Sequence, residues 1–174
     1  EIGIDAQLMA AVRDLERARH GLVAYPELTY RQFDFEDQTG FDSAFEHIDL
    51  LFLLRPPHIS EVEKVFRPLL DAAKRNGIKE IVFLSVQGAE KSKVIPHNKI
   101  EKLIAEGEFS SVLIRPSYFM QNLATTLLPE IQQNRSITLP SGSAKFNWID
   151  VNNIGEASAR VIQSFEKYKD QVYE

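Results

Sequence analysis

Three side chains able to hold or pass a proton stand close together near the middle of the chain. They are Ser85, His97 and Lys99, in the stretch LSVQGAEKSKVIPHNKIEKLI from Leu84 to Ile104. A hydroxyl, an imidazole that titrates near neutral pH and an ammonium group are the usual currency of general acid–base chemistry. The stretch leaves an apolar run, crosses a polar loop with one glycine and enters a helix that opens at His97 and Lys99. A catalytic loop, a cofactor cradle and a plain connection are all open readings, since a lone His at a helix start also serves as a cap or surface group.

Other candidates stand at the ends of apolar runs. Arg13 ends the first of them; at the second strand of a dinucleotide fold an acid there binds the ribose 2′-hydroxyl, whereas an Arg accommodates a 2′-phosphate, and the other reading is a solvated Arg at a helix start. Asp34-Phe35-Glu36-Asp37 reads either as an adenine pocket or as an acidic turn that caps the next helix. Leu54-Arg55-Pro56-Pro57 is a stiffened loop able to pass beside phosphates and ribose, or a turn that stops a strand. In IRPSYFMQN (Ile114–Asn122), Pro116 ends a strand, Ser117 and Tyr118 turn the chain, and Phe119 with Met120 reads either as an apolar wall for a planar ring or as core packing at a helix start. Trp148 and Asp150 read as a second wall and the N-cap of the last helix.

Composition narrows the classes. With 20 Lys and Arg against 25 Asp and Glu, a formal charge of -5 repels a phosphate backbone, so nucleic acid is not the expected partner. The absence of cysteine removes disulfides, thiolate nucleophiles and cysteine-ligated metal together. The histidines, His20, His47, His58 and His97, are scattered, so no sequence-local metal site is expected. No apolar run approaches the ~20 residues needed to cross a bilayer, and a cytoplasmic protein with no membrane partner is expected.

The elements that must position these residues alternate in type. Ala6–Asp14 reads as a strand, LERARHGL as a helix closed near Gly21, and Leu28–Phe35 as β-rich. The continuous apolar run Asp49–Leu54 is what a central parallel strand requires. Ser60-Glu61-Val62-Glu63 fits a capping box, followed by Val62, Val65, Phe66, Leu69, Leu70 and Ala73 at helical spacing and a stop at Asn76-Gly77. A strand over Ile78–Val86, a helix over Asn98–Gly107, a strand over Ser111–Pro116, a helix near Tyr118–Gln133, a short strand at Ile137–Pro140 and a last helix through Ile154, Val161 and Phe165 follow. DQVYE at the end could begin another strand. The pattern predicts an α/β fold with a doubly wound parallel sheet, in which ligands bind outside the carboxyl ends of the strands.

Taken together, VRDLERA, FDFED, LFLLRPP, AAKRNGIKEIVFLSVQGAEK, PHNKIEK, LIRPSYFMQNL and FNWIDVNNIGEA resemble the NmrA-like branch of the atypical short-chain dehydrogenase/reductase superfamily. The resemblance implies one partial NAD(P)-binding Rossmann-like domain over residues 1–174, cut at both ends. By that resemblance the first strand and the G-x-x-G-x-x-G loop would be lacking and the C-terminal subdomain would be largely absent. It puts Arg13 near the adenosine 2′-phosphate, Asp34 and Phe35 near adenine, and Leu54, Arg55 and Pro56 along the cofactor. Ser85, Val86 and Gln87 fall beside the nicotinamide ribose, and Pro116, Ser117 and Phe119 near the nicotinamide. Ser85 and Lys99 match the relay Ser and Lys of short-chain dehydrogenases, but the Tyr expected four residues before the Lys is Ile95, which leaves His97 as candidate acid. The expected cofactor is NADP, with NAD as the alternative. The expected activity is reduction of a small planar acceptor such as a quinone or azo compound, or else NAD(P) sensing with a protein partner or a second copy of the chain.

Overall fold

The computed structural model describes residues 6–139 and 147–174. Its elements in order are β1 (Met9–Val12), α1 (Leu15–Gly21), β2 (Thr29–Gln32), α2 (Phe41–Phe45), β3 (Leu50–Leu54), α3 (Val62–Arg75), β4 (Glu80–Leu84), α4 (Pro96–Glu106) and β5 (Ser110–Ile114). These are followed by β6 (Tyr118–Phe119), α5 (Leu128–Asn134), β7 (Trp148–Ile149), α6 (Val151–Gln163), α7 (Phe165–Tyr168) and β8 (Gln171–Tyr173). Strands β3, β4, β5 and β8 form one parallel sheet in that order, β1 pairs with β2, and β6 pairs with β7, also parallel. Among the described residues one long edge of β1 and one of β3 carry no strand partner.

Alternation along the strands explains the two layers. Leu53 of β3 and Ile81 and Phe83 of β4 point to one face, where they join Val65, Phe66, Leu69, Leu70 and Ala73 of α3 and Ile100, Leu103 and Ile104 of α4 in one core cluster. Val82, Val112 and Ile114 point to the other face and pack on Val161 of α6 and on Phe165. The sheet is therefore doubly wound, as the sequence pattern requires.

Local chemistry differs from expectation in four places. The capping box at Ser60 does not form: α3 begins at Val62, its N-cap Glu61 makes no side-chain cap bond, and the Glu63 carboxylate instead accepts from Arg67 Nε at 2.8 Å. The expected helix over Tyr118–Gln133 is divided into β6, a 3-10 turn at Met120–Ala124 and α5, because the pairing of β6 with β7 holds its start extended. Ser136–Leu139 form no strand, and Pro140 lies outside the described residues. The last helix breaks at Ser164, whose amide turns back to the carbonyls of Arg160 and Val161. The remaining signals correspond to observed elements. Gly77 closes α3 with φ +85°, a conformation that costs glycine little. Asp150 caps α6, accepting from the Asn152 amide at 2.7 Å. β8 forms within DQVYE.

Candidate functional site

The carboxyl ends of β4 and β5 stay zipped beyond the strands. The Ser85 amide donates to the Ile114 carbonyl at 2.7 Å and the Gln87 amide to the Pro116 carbonyl at 2.9 Å. The two loops separate only after this, and Val86, Gln87, Pro116, Ser117 and Tyr118 line a hollow of about 270 Å³ between them. Gly88, at φ +76°, turns the first loop away. On the other wall the Tyr118 ring meets Trp148 edge-on, with centroids 5.0 Å apart, because β6 and β7 pair in register. Successive strand residues face opposite ways, so Phe119 turns from the side that Tyr118 presents. The Val151 amide donates to Gln121 Oε1 at 3.1 Å and pins the start of α6 to the same wall.

Behind this hollow lies a polar cluster that the residue pattern did not reveal. Ser85 is 2% exposed, and its hydroxyl donates to Glu101 Oε1 at 2.5 Å. Arg115 donates to the same carboxylate through both Nε (3.0 Å) and Nη2 (2.8 Å). Its Nη1 faces Glu90 at 2.8 Å and Glu174 at 3.6 Å. Hydrogen bonding to Glu101 holds the Arg115 guanidinium still more firmly in its charged form. In sequence Glu101 is one of several charges on α4, and Arg115 stands between Ile114 and Pro116, so the local pattern gives no signal that they meet.

The proton-bearing trio of the sequence is thus dispersed. The Ser85 hydroxyl is engaged by Glu101, while Lys99 is exposed on the first turn of α4. His97 is packed against Phe83, ring centroids 6.0 Å apart, with a buried Nδ1. Burial first, then the positive charge of Arg55, lowers its pKa below the ordinary 6.5, and Glu101 opposes this only in part. The imidazolium is disfavoured, which counts against His97 as an acid.

The other candidates stand at strand ends, as the fold dictates. Leu54 pairs in register with Leu84, one strand from the hollow, and is 54% exposed. Arg55 folds onto its own loop, donating to the carbonyls of Pro56 (3.0 Å), Pro57 (3.0 Å) and Ile59 (2.6 Å), so its guanidinium braces the Pro56-Pro57 turn. Arg13 is exposed, and its carbonyl accepts from Gln32 Nε2 at 3.3 Å. Asp34 accepts from the Glu36 amide at 2.9 Å in a local turn, and Asp37 caps the 3-10 turn that follows. The Phe35 ring packs on Phe33 and Phe66 at 4.9 and 5.6 Å, against the core. A second hollow, about 330 Å³, lies between α3 and α2, with Gln38, Glu63, Arg67 and Arg75 among its walls. Arg67 pairs with Glu63 there and Arg75 with Asp42, and no strand end reaches it, so it reads as surface relief.

Residues 4–174 match the NmrA-like family. The chain belongs to that family. It is 32% identical over 134 residues to prestalk A differentiation protein A of Dictyostelium discoideum, covering 77% of this chain and 44% of that protein. It is 26% identical over 172 residues to quinone oxidoreductase 2 of Escherichia coli, covering 97% of this chain and 59% of that protein. The crystal structure of the Escherichia coli NADPH-dependent quinone oxidoreductase in complex with NADPH superposes with a TM-score of 0.82 at 25% identity, over 99% of this chain and 60% of that one. The chain spans 44–59% of the length of these relatives. No helix among the described residues is long and apolar enough to cross a membrane.

Proposed function

We propose that this chain forms the nicotinamide side of an NADPH-binding site in an oxidoreductase that passes hydride to a small planar acceptor, a quinone or an azo compound. The observation that carries this reading is the hollow between the Gln87 and Pro116 loops. It lies outside the carboxyl ends of two adjacent parallel strands, where open α/β sheets bind ligands, in a chain whose fold superposes on an NADPH complex. Its 270 Å³ suits a nicotinamide ring rather than a whole dinucleotide. Pro116, which lines the hollow, and the Tyr118–Trp148 pair supply an apolar wall for a planar ring, and Arg13 is the candidate for a 2′-phosphate. When bound, the nicotinamide would supply the hydride. The residues of this chain would orient the ring, keep water from one of its faces and hold the acceptor against the other.

A second reading, a sensor whose partner affinity follows the bound cofactor, is favoured by the lack of an available proton donor. Ile95 stands where the relay Tyr is expected, the Ser85 hydroxyl donates to Glu101, and burial disfavours the His97 imidazolium. The deciding experiment is a fluorescence titration with NADPH and NADH, on this chain and on a version extended upstream, followed by NADPH oxidation in the presence of a simple quinone. Preference for NADPH, lost in Arg13→Glu, together with steady turnover supports the reductase. Tight binding without turnover supports the sensor, and no binding by either chain overturns both.

A further inference from the structure

One guanidinium ties four elements together behind the cleft. We propose that Arg115 and Glu101 are positioning residues that set the separation of the two cleft walls, and that the Ser85 hydroxyl serves this clamp instead of relaying a proton. The effect on cofactor binding rests on the function proposed above; the clamp itself does not.

The bonds reach each wall within a few residues. Arg115 directly precedes Pro116, on one wall. Glu90, which faces Arg115 at 2.8 Å, comes three residues after Gln87, on the other. Glu101 belongs to α4, one half-turn beyond Lys99, and receives the guanidinium through two bonds. The Arg115 amide also donates to the Tyr173 carbonyl at 2.7 Å, so the end of β8 is included. A two-point guanidinium–carboxylate bond fixes direction as well as distance, which a lysine ammonium cannot do. The side chains of Arg115 and Glu101 are 11% and 8% exposed, so water competes little, and removing one partner strands the other charge. The Ser85 hydroxyl donates to the Oε1 that also accepts from Arg115 Nε. Its proton is therefore held inside the cluster.

Trp148, the single tryptophan of the chain, stands on the Pro116 side against Tyr118 and reports the wall without any cofactor. Glu101→Gln is expected to keep its far-ultraviolet circular dichroism, to shift Trp148 emission with nothing added, and to weaken NADPH binding about tenfold or more, the scale on which small misplacements act. Glu101→Asp, which keeps the charge, should recover part of both effects. Ser85→Ala should shift the emission in the same direction and add nothing in the Glu101→Gln background. A relay serine would instead lower kcat in either background and leave Trp148 unmoved, which would overturn the proposal. So would a Glu101→Gln protein that melts earlier yet keeps wild-type emission and NADPH affinity. If the wild type binds no NADPH but Glu101→Gln still moves Trp148, the clamp stands and the cofactor reading falls. Should Glu101→Gln fail to fold, Arg115→Lys carries the same test, with Glu156→Gln at the exposed Arg160 pair of α6 as the control.

Discussion

The two faces of the β3-β4-β5-β8 sheet are filled unequally. On the face under α3 and α4, Phe66, Leu69, Ile81, Phe83 and Ile100 are wholly enclosed, and six phenylalanines, Phe33, Phe41, Phe45, Phe66, Phe83 and Phe109, belong to one continuous cluster. On the face under α6 and α7, Val82, Val112 and Ile114 are covered. Alternation assigns Phe52 and Leu54 of β3 to this same side, where they remain 39% and 54% exposed. Both strands come from equally apolar runs, so hydrophobicity alone did not decide burial. Cover depends on where a helix lands: α6 lies over β4 and β5 but leaves the β3 end open. Full burial of a large apolar side chain contributes roughly 1.5–3 kcal/mol, and at Phe52 and Leu54 much of that is not realised among the described residues.

The largest test of this contrast is Phe83→Ala on the filled face. It should cost about 3–5 kcal/mol, read as a fall in the urea midpoint with an unchanged slope. A loss below about 1 kcal/mol would mean that this face is looser than its packing indicates. Val161→Ala on the opposite face removes fewer atoms and should cost about 1–3 kcal/mol by the same measurement.

Acidification probes the filled face at its edge, where His97 packs on Phe83. Burial and Arg55 lower the folded-state pKa of His97, with Glu101 opposing. The unfolded chain therefore takes up the proton first, and stability falls as the pH drops below about 6.5. Urea titrations at pH 7.5 and 5.5 should show a larger loss for the wild type than for His97→Gln; equal losses would exclude the linkage. The smallest expected effect is Leu54→Thr on the open side, within about 0.5 kcal/mol. A loss above 2 kcal/mol would show that something covers Leu54 in solution.

Several elements were legible because their signals are local. The three- and four-residue spacing from Val62 to Ala73 and the Asn76-Gly77 stop describe α3 closely, and the apolar runs at Asp49–Leu54 and Ile78–Val86 contain β3 and β4. The Ser60 capping box was not realised, since the chain turns at Glu61 and Glu63 pairs with Arg67. Of the helix expected after Pro116 only the later part forms, because the strand that holds Tyr118 and Phe119 extended lies thirty residues further on. Among candidate site residues, Val86, Gln87, Pro116 and Ser117 could be grouped in advance, because strand ends of a parallel sheet converge. The partners of Ser85 and His97 could not.

The sequence by itself determined the alternation of buried strands and one-sided helices, and with it the parallel sheet and the edge at which a cleft opens, because side-chain periodicity depends on a few neighbouring residues. Only the tertiary structure decided which polar groups meet. Ser85 finds Glu101 sixteen residues away, and Arg115 gathers Glu90, Glu101 and Glu174. Those choices depend on how β4, β5, α4 and β8 register against one another, and on how little water remains where they meet.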